Sequence, residues 1–113
     1  MTESVLQSRK SVTYEEYPLV IADKAFSYVG RHFQPPSAPH IDTRRQIAVE
    51  DVHKILLGLK PTDPDLAHLT FYHQGSSPYS YEVERVIGIW AMGGLVEVKG
   101  NDIYLTPLGE SKS

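Results

Sequence analysis

Residues Ser77 to Glu110 read SPYSYEVERVIGIWAMGGLVEVKGNDIYLTPLGE, and this stretch decides the fold. Ser80 is a candidate N-cap, because its hydroxyl can accept a backbone N–H one turn later. One helical face is built by four apolar residues at i, i+3, i+4 and i+7, namely Val83, Val86, Ile87 and Trp90. Gly93 and Gly94 supply the left-handed exit that ends helices. The stretch therefore predicts a helix over residues 80–92.

A tight hairpin is predicted directly after this helix. Apolar and polar residues alternate from Val96 to Lys99, which is the spacing of a strand. Gly100-Asn101 is a two-residue hairpin turn signal. With that turn, the facing pairs are Lys99 with Asp102, Val98 with Ile103, Glu97 with Tyr104, and Val96 with Leu105. One face of the hairpin is then apolar and the other polar, so register and turn chemistry agree.

The end of this stretch resembles the wing of winged helix-turn-helix proteins. In that family a helix ends in Gly-Leu plus an apolar residue, a charged hairpin follows, and the return strand leads into a Leu-Thr-Pro-x-Gly ending. The residues that carry the match are Leu105, Thr106, Pro107 and Gly109. A subset of small prokaryotic winged helices is also similar upstream, at Tyr72, Gly75, Pro78, Tyr79, Ser80 and Glu84. The resemblance covers roughly the last 45 residues and implies an α+β, mostly helical winged helix-turn-helix fold.

The rest of the chain is divided by its polar and proline-rich segments. Residues 1–12 are polar and are expected to form a flexible N-terminal arm. Residues 13–113 are expected to form a single winged-helix domain. Within it, residues 13–40 hold an additional N-terminal helix, over 16–33, and a Pro-rich connector. Residues 41–113 then form the winged-helix core.

Shorter elements are predicted between that connector and the closing stretch. A second helix is expected from about Arg44 to Leu57, with Thr43 and Gln46 as a capping box. Residues 66–69 are expected to form a short helical turn. Residues 70–73 are expected to form a short strand that could pair with the wing hairpin.

Composition narrows the class of protein. A chain of 113 residues fits one domain, and it has no cysteine, so it has no disulfide framework and no thiolate metal site. No apolar run approaches the ~18–20 residues that a membrane span needs. The first residues lack the apolar stretch of a secretory signal, so a cytoplasmic location is expected, with no membrane partner. The net charge of −3 counts against tight non-specific binding to nucleic acid.

The resemblance implies binding to duplex DNA. In this hypothesis the chain is a small DNA-binding transcriptional regulator, acting as a homodimer, that inserts helix 80–92 into the major groove beside the wing at 95–105. Base or phosphate contacts would come from Ser80, Tyr81 and Arg85 on the helix and from Lys99 and Asn101 on the wing. Outward positions of the helix would include Tyr81, Glu82 and Arg85. Four carboxylates in this region oppose the hypothesis, namely Glu82, Glu84, Glu97 and Asp102.

The alternative is a winged-helix protein–protein interaction module or accessory subunit, including one encoded by a phage or mobile element, without DNA binding. Tyrosines cluster around the predicted helix entry, with Tyr72 and Tyr79 as candidate contact residues. Leu19 and Val20 belong to an apolar run that exceeds what one face of the N-terminal helix needs. That excess favours contact with a second subunit or a partner protein.

No spacing in the chain nominates catalytic residues. There is no Gly-rich phosphate loop, nucleophile elbow or paired-carboxylate motif, so the chain is not expected to be an enzyme or to hold a cofactor. Asp63, Asp65 and His68 could ligate a divalent ion from one loop. The two aspartates more simply cap a turn in a Pro-rich loop, so no metal site is assigned.

Overall fold

The structure is a computed structural model that describes residues 16–35, 44–75 and 77–112. Over these residues the chain is α+β, with helices packed on small antiparallel sheets. The α-helices are α1 (Tyr17–Gly30), α2 (Val49–Leu59), α3 (Tyr81–Met92) and α4 (Pro107–Lys112). The strands are β1 (Gln46–Ala48), β2 (Tyr72–Gln74), β3 (Ser77–Tyr79), β4 (Val96–Lys99) and β5 (Asp102–Leu105). The arm predicted over residues 1–12 lies outside this description, and none of the described helices is long and apolar enough to cross a membrane.

Helix α1 is part of the hydrophobic core. Pro18 lies in its first turn, where the missing N–H costs little. Its buried face consists of Ile21, Ala22, Ala25, Phe26 and Val29. The indole N–H of Trp90, on α3, donates to the Ala22 carbonyl at 2.9 Å, and the Trp90 ring packs edge-on against Phe26. The sequence suggests that this helix is an addition to a core formed by residues 41–113. Instead, the buried side chains of α1 belong to one apolar cluster with those of α2, α3 and the sheet.

The prediction of a helix from Arg44 to Leu57 is wrong over its first residues, because Gln46–Ala48 form β1 and the helix begins only at Val49. Strand β1 pairs antiparallel with β5, with Ile47 opposite Ile103. Strand β5 is the central strand of the three-stranded sheet β1-β5-β4. Without β1, one edge of β5 would lack backbone partners, and this long-range pairing outweighs the local preference for helix.

Helix α2 begins at Val49, after the strand. Its N-cap is Ala48, which has extended backbone angles and no side chain that could cap the helix. The predicted capping box is therefore wrong at Gln46, which lies in β1, whereas Thr43 lies outside the described residues. The first amide of α2 instead donates to the carbonyl of Asn101, in the turn of the wing, at 2.8 Å. The start of α2 is thus held by the turn between β4 and β5.

Arg45 joins three parts of the fold. Its guanidinium donates to the carbonyl of Phe33 at 2.9 Å and to that of Gly30 at 3.3 Å, where α1 ends. It also pairs with the carboxylate of Glu110, on α4, at 3.2 Å. The contacts of Arg45 therefore have a structural role, because they connect the end of α1 to α4.

The β4-β5 hairpin, for which we keep the name wing, is confirmed with its predicted register. Lys99 faces Asp102, Val98 faces Ile103, Glu97 faces Tyr104, and Val96 faces Leu105. Gly100, in the turn, has φ +61°, which a glycine adopts without the steric cost that other residues meet. The inner ends of both strands are buried, so the apolar face of the hairpin closes the core under α3.

Helix α4 packs unusually close to the wing because residue 109 has no side chain. A Cβ atom on Gly109 would lie 2.0 Å from the Leu95 carbonyl oxygen and 2.9 Å from a methyl carbon of Leu105. The Thr106 hydroxyl accepts the Gly109 N–H at 3.0 Å and donates to the Leu95 carbonyl at 3.0 Å. The glycine and threonine of the Leu-Thr-Pro-x-Gly ending are therefore explained by the close packing of α4 on Leu95.

The connection between α2 and α3 contains a second hairpin. The strand predicted at residues 70–73 is observed at 72–74, and it pairs with β3 and not with the wing, with Tyr72 opposite Tyr79. The helical turn predicted at residues 66–69 lies earlier, as a 3-10 turn at Pro64–Leu66. The β2-β3 hairpin carries the chain directly into α3.

Candidate interaction surface

Ser80 caps α3, as predicted. Its hydroxyl accepts the backbone N–H of Val83 at 3.3 Å and donates to the carboxylate of Glu82 at 2.9 Å. The same carboxylate oxygen accepts the N–H of Thr70 at 2.9 Å. Both Ser80 and Glu82 are buried. The expectation that Glu82 faces outward is therefore wrong, because its carboxylate anchors the preceding loop to the start of the helix.

His53, on α2, completes this junction and was not found from the sequence. Its side chain is 2% exposed. Its Nδ1 lies 3.1 Å from the Ser80 amide nitrogen, and its Nε2 lies 2.9 Å from a carboxylate oxygen of Glu84. A backbone N–H only donates, so Nδ1 accepts, which leaves the proton on Nε2 for Glu84. A polar residue beside Val52 on the buried face of an amphipathic helix was the available signal.

Three tyrosines meet where β2, β3 and α3 come together, and we call Tyr72, Tyr79 and Tyr81 the tyrosine surface. Tyr81 lies edge-on to Tyr79 at a centroid distance of 5.2 Å and tilted against Tyr72 at 5.9 Å. On its other side, Tyr79 stacks on the His53 ring at 5.1 Å. Burial, and then the charge of Glu84, raises the pKa of the Tyr79 hydroxyl. The structure thus joins Tyr81, predicted to contact DNA, to the two tyrosines predicted to contact protein.

The tyrosine surface continues along the outer face of α3, which we define as Tyr81, Arg85, Gly88 and Met92. These four exposed positions follow i, i+4, i+7 and i+11 spacing, which is one side of a helix. Tyr81 is 57% exposed and Met92 is 90% exposed. This helix face therefore exposes one apolar or aromatic side chain at each end, with Arg85 between them.

An acidic cleft lies beside the tyrosine surface, between α2, β3 and the turn of the wing. Its volume is about 380 Å³, and its walls include Glu50, Glu84 and Asp102 together with Tyr79 and Asn101. The hydroxyl of Ser77, and then the ammonium group of Lys54, lowers the pKa of Glu50. The cleft therefore presents carboxylates next to an aromatic ring, a combination that suits a cationic group.

The wing presents few positive charges to solvent. The Arg44 guanidinium donates to Glu97 at 2.6 Å and lies 5.0 Å from the centre of the Tyr104 ring. The Lys99 ammonium lies 5.5 Å from the same ring and 4.0 Å from Glu97. Asn101 is exposed at the turn. Of the predicted nucleic-acid contacts, Tyr81, Arg85, Lys99 and Asn101 are exposed and Ser80 is not.

The predicted contact residues on α1 form a separate, smaller patch. Leu19 and Val20 are exposed in the first turns of the helix. The apolar residues that follow on the same helix, such as Ile21 and Ala25, are buried in the core. The apolar excess inferred from the sequence therefore reduces to these two side chains.

The loop that suggested a metal site is occupied by protein contacts. Asp63 caps the 3-10 turn by accepting the Asp65 N–H at 2.9 Å. It also accepts the Tyr28 hydroxyl and pairs with Lys24, both on α1. The ring of His68 packs edge-on against Tyr17. Among the residues that the structure describes, no three His, Asp or Glu side chains are arranged to hold a metal ion.

Comparison with known proteins found no match to a family model, to a curated protein or to a solved structure.

Proposed function

We propose that the chain is a winged helix-turn-helix protein-interaction module that binds a basic segment of a partner protein. The fold part of the proposal is supported by the element order α1, β1, α2, α3, β4, β5 and by the strand order β1-β5-β4. In this interpretation α1 is the first of the three core helices and not an addition to them. The β2-β3 hairpin occupies the turn between the second and third helices.

The observation that carries the function is the exposed tyrosine surface and its continuation along α3. Tyrosine, methionine and arginine are enriched in protein–protein interfaces, and buried tyrosines and arginines often dominate the binding energy. Tyr81 stands at the centre of the surface, since it contacts both Tyr72 and Tyr79. The three rings hold one another in place, so little side-chain entropy remains to be lost on binding.

The charge of the cleft supports a basic partner. Glu50, Glu84 and Asp102 line the cleft next to Tyr79. Phosphates would be repelled by these carboxylates, whereas a lysine or arginine side chain would be attracted to them and to the face of the tyrosine. The partner we propose therefore presents an apolar or aromatic group to α3 and a basic side chain to the cleft.

Selection from a displayed random peptide library tests this proposal. We expect selected peptides to be rich in lysine and arginine, and Tyr81→Ala to weaken their binding by roughly tenfold or more. Glu50→Gln should reduce the salt dependence of binding, because it removes one carboxylate from the cleft. Leu19→Ala is the matched control, since it removes an exposed apolar side chain from α1. Selection of acidic peptides, or equal binding by Tyr81→Ala, would refute the proposed surface.

DNA binding by helix α3 and the wing is the second candidate, and one observation favours it. Glu82 is buried and Glu84 is bonded to His53, so the start of α3 presents Tyr81 and Arg85 to solvent. Titration of a labelled random duplex at low and at physiological ionic strength separates the candidates. A DNA-binding regulator retains a weak affinity at low salt that falls steeply as salt is added. Absence of binding at low salt would remove this candidate.

Assembly as a homodimer remains a prediction, and Leu19 and Val20 are its proposed contacts. Two side chains supply far less than the ~800 Å² per partner of a standard interface, so further surface would have to take part. Sedimentation velocity of the wild type and of Leu19→Ser/Val20→Ser tests the assignment. A dimer that is unchanged by the double substitution would place the interface elsewhere.

A further inference from the structure

His53 links three elements through bonds that depend on its charge. Its ring is buried, its Nδ1 accepts the Ser80 amide N–H, and its Nε2 faces Glu84. The Ser80 amide lies in the peptide that joins β3 to α3, between Tyr79 and Tyr81 of the tyrosine surface. The Tyr79 ring lies nearly parallel to the imidazole, at an angle of 22°. The conformation of this junction is thus held by the neutral form of one histidine.

We propose that His53 is a pH-sensitive switch: a proton added at Nδ1 releases the Ser80 amide and loosens the junction that holds the tyrosine surface. An imidazolium carries N–H on both nitrogens, so it has no acceptor for a backbone N–H. The Ser80 amide would then be left in a buried place without its partner, which is unfavourable. The junction would shift until that amide finds another acceptor or water.

The surroundings of the ring allow the charged form to exist inside the fold. Glu84 on α3 and Tyr79 on β3 contact the ring, Glu50 on α2 and Asp102 at the wing line the same cleft, and Lys54 pairs with Glu50. Glu84 can pair with the imidazolium directly, and Lys54 is itself paired with Glu50 at 3.2 Å. The Glu84 carboxylate therefore favours a positive charge on the ring, whereas the hydrogen bond from the Ser80 amide favours the neutral form. Histidine is the side chain whose charge normally changes between about pH 5 and 8.

The consequence goes beyond the binding of a partner. In the neutral form Tyr79 and Tyr81 are held edge-on by the junction between them. In the protonated form the residue between them loses its anchor to α2, so the two rings are no longer fixed relative to each other. Mild acid should therefore disorder the tyrosine surface, while helices α1 and α3, which pack on each other through Trp90 and Phe26, stay folded.

A nitrogen-15 NMR titration of the full chain from about pH 8 to about pH 5 tests the switch without any partner. We expect the His53 ring to change from the Nε2–H tautomer to the imidazolium, and the Ser80 amide signal to shift with the same midpoint. The protection of the Ser80 amide from exchange should fall about tenfold, while that of Val86 in the middle of α3 is retained. A ring that stays neutral throughout, or an imidazolium with an unchanged Ser80 amide, would overturn the proposal.

Two substitutions separate this switch from other titrations. His53→Gln should abolish the pH step at Ser80, whereas His32→Gln, at an exposed histidine, should retain it. If His53→Gln does not fold, Glu84→Gln supplies the test, because it removes the charge that stabilises the imidazolium. The midpoint at Ser80 should then move to lower pH, and an unchanged midpoint would contradict the role given to His53.

Discussion

Replacing Gly109 with alanine tests the close packing of α4 against the wing. The added Cβ would lie 2.0 Å from the Leu95 carbonyl oxygen, well inside contact distance, so α4 and the wing must separate. That carbonyl accepts both the N–H and the hydroxyl of Thr106, at 3.1 Å and 3.0 Å. Loss of two hydrogen bonds at ~1 kcal/mol each, with ~1 kcal/mol of crowding against Leu105, gives a destabilisation of about 3 kcal/mol.

Urea denaturation followed by the fluorescence of Trp90, the one tryptophan of the chain, measures this change. In a thermal scan followed by the same fluorescence, the melting temperature should fall by ~10 °C. Gly58→Ala is the matched control, because it lies within α2 and a Cβ there meets no atom within 4 Å. It should stabilise the protein by ~0.5–1 kcal/mol. If Gly109→Ala is as stable as the wild type, the packing argument for the Leu-Thr-Pro-x-Gly ending is refuted.

Two further substitutions test the contacts of α1. Trp90→Phe removes the indole N–H that donates to the Ala22 carbonyl. We expect the free energy of unfolding, measured by circular dichroism in urea, to fall by about 2 kcal/mol. An unchanged free energy of unfolding would contradict a role for that hydrogen bond. Hydrogen bonds from the Tyr28 hydroxyl and, to a smaller extent, from the Asp65 backbone N–H lower the pKa of Asp63 from its ordinary value of 3.8. The ionised carboxylate therefore stabilises the fold above pH 3.8. This stabilisation is lost as the pH falls through the lower pKa that Asp63 has in the folded state. Asp63→Asn should therefore lose less stability than the wild type between about pH 5 and about pH 3, whereas Asp23→Asn, at an exposed site, should follow the wild type.

Elements with local determinants were predictable from the sequence. The wing register follows from a two-residue turn and strict alternation, both within ten residues, and all four predicted pairs are present. The start of α3 follows from the Ser80 hydroxyl, which bonds three residues onward. Strand β1 was missed because its partner, β5, lies far along the chain and three residues are too few to show a period.

The interior of the candidate site was harder to predict for the same reason. Glu82 lies at the edge of the buried face, four residues before Val86, and hydrogen bonds from Thr70 and Ser80 draw its carboxylate inward. His53 lies on another helix, and its bonds to Ser80 and Glu84 depend on how α2 packs against α3. Tyrosine content alone indicated a contact surface, and only the three-dimensional packing identifies which rings touch.

The central position of β5 has a consequence for biosynthesis. A ribosome makes β1 and β4 before β5, yet β5 is the strand that joins them. Until residues 102–105 emerge, β1 and β4 each lack their partner, and unpaired strand edges promote aggregation. We therefore expect chains stalled before Asp102 to be cut readily by protease, and chains that expose residues through Lys112 to resist; equal resistance would show that the earlier segments fold without β5. The assembly of this sheet is thus a late event, completed by the strand at its middle.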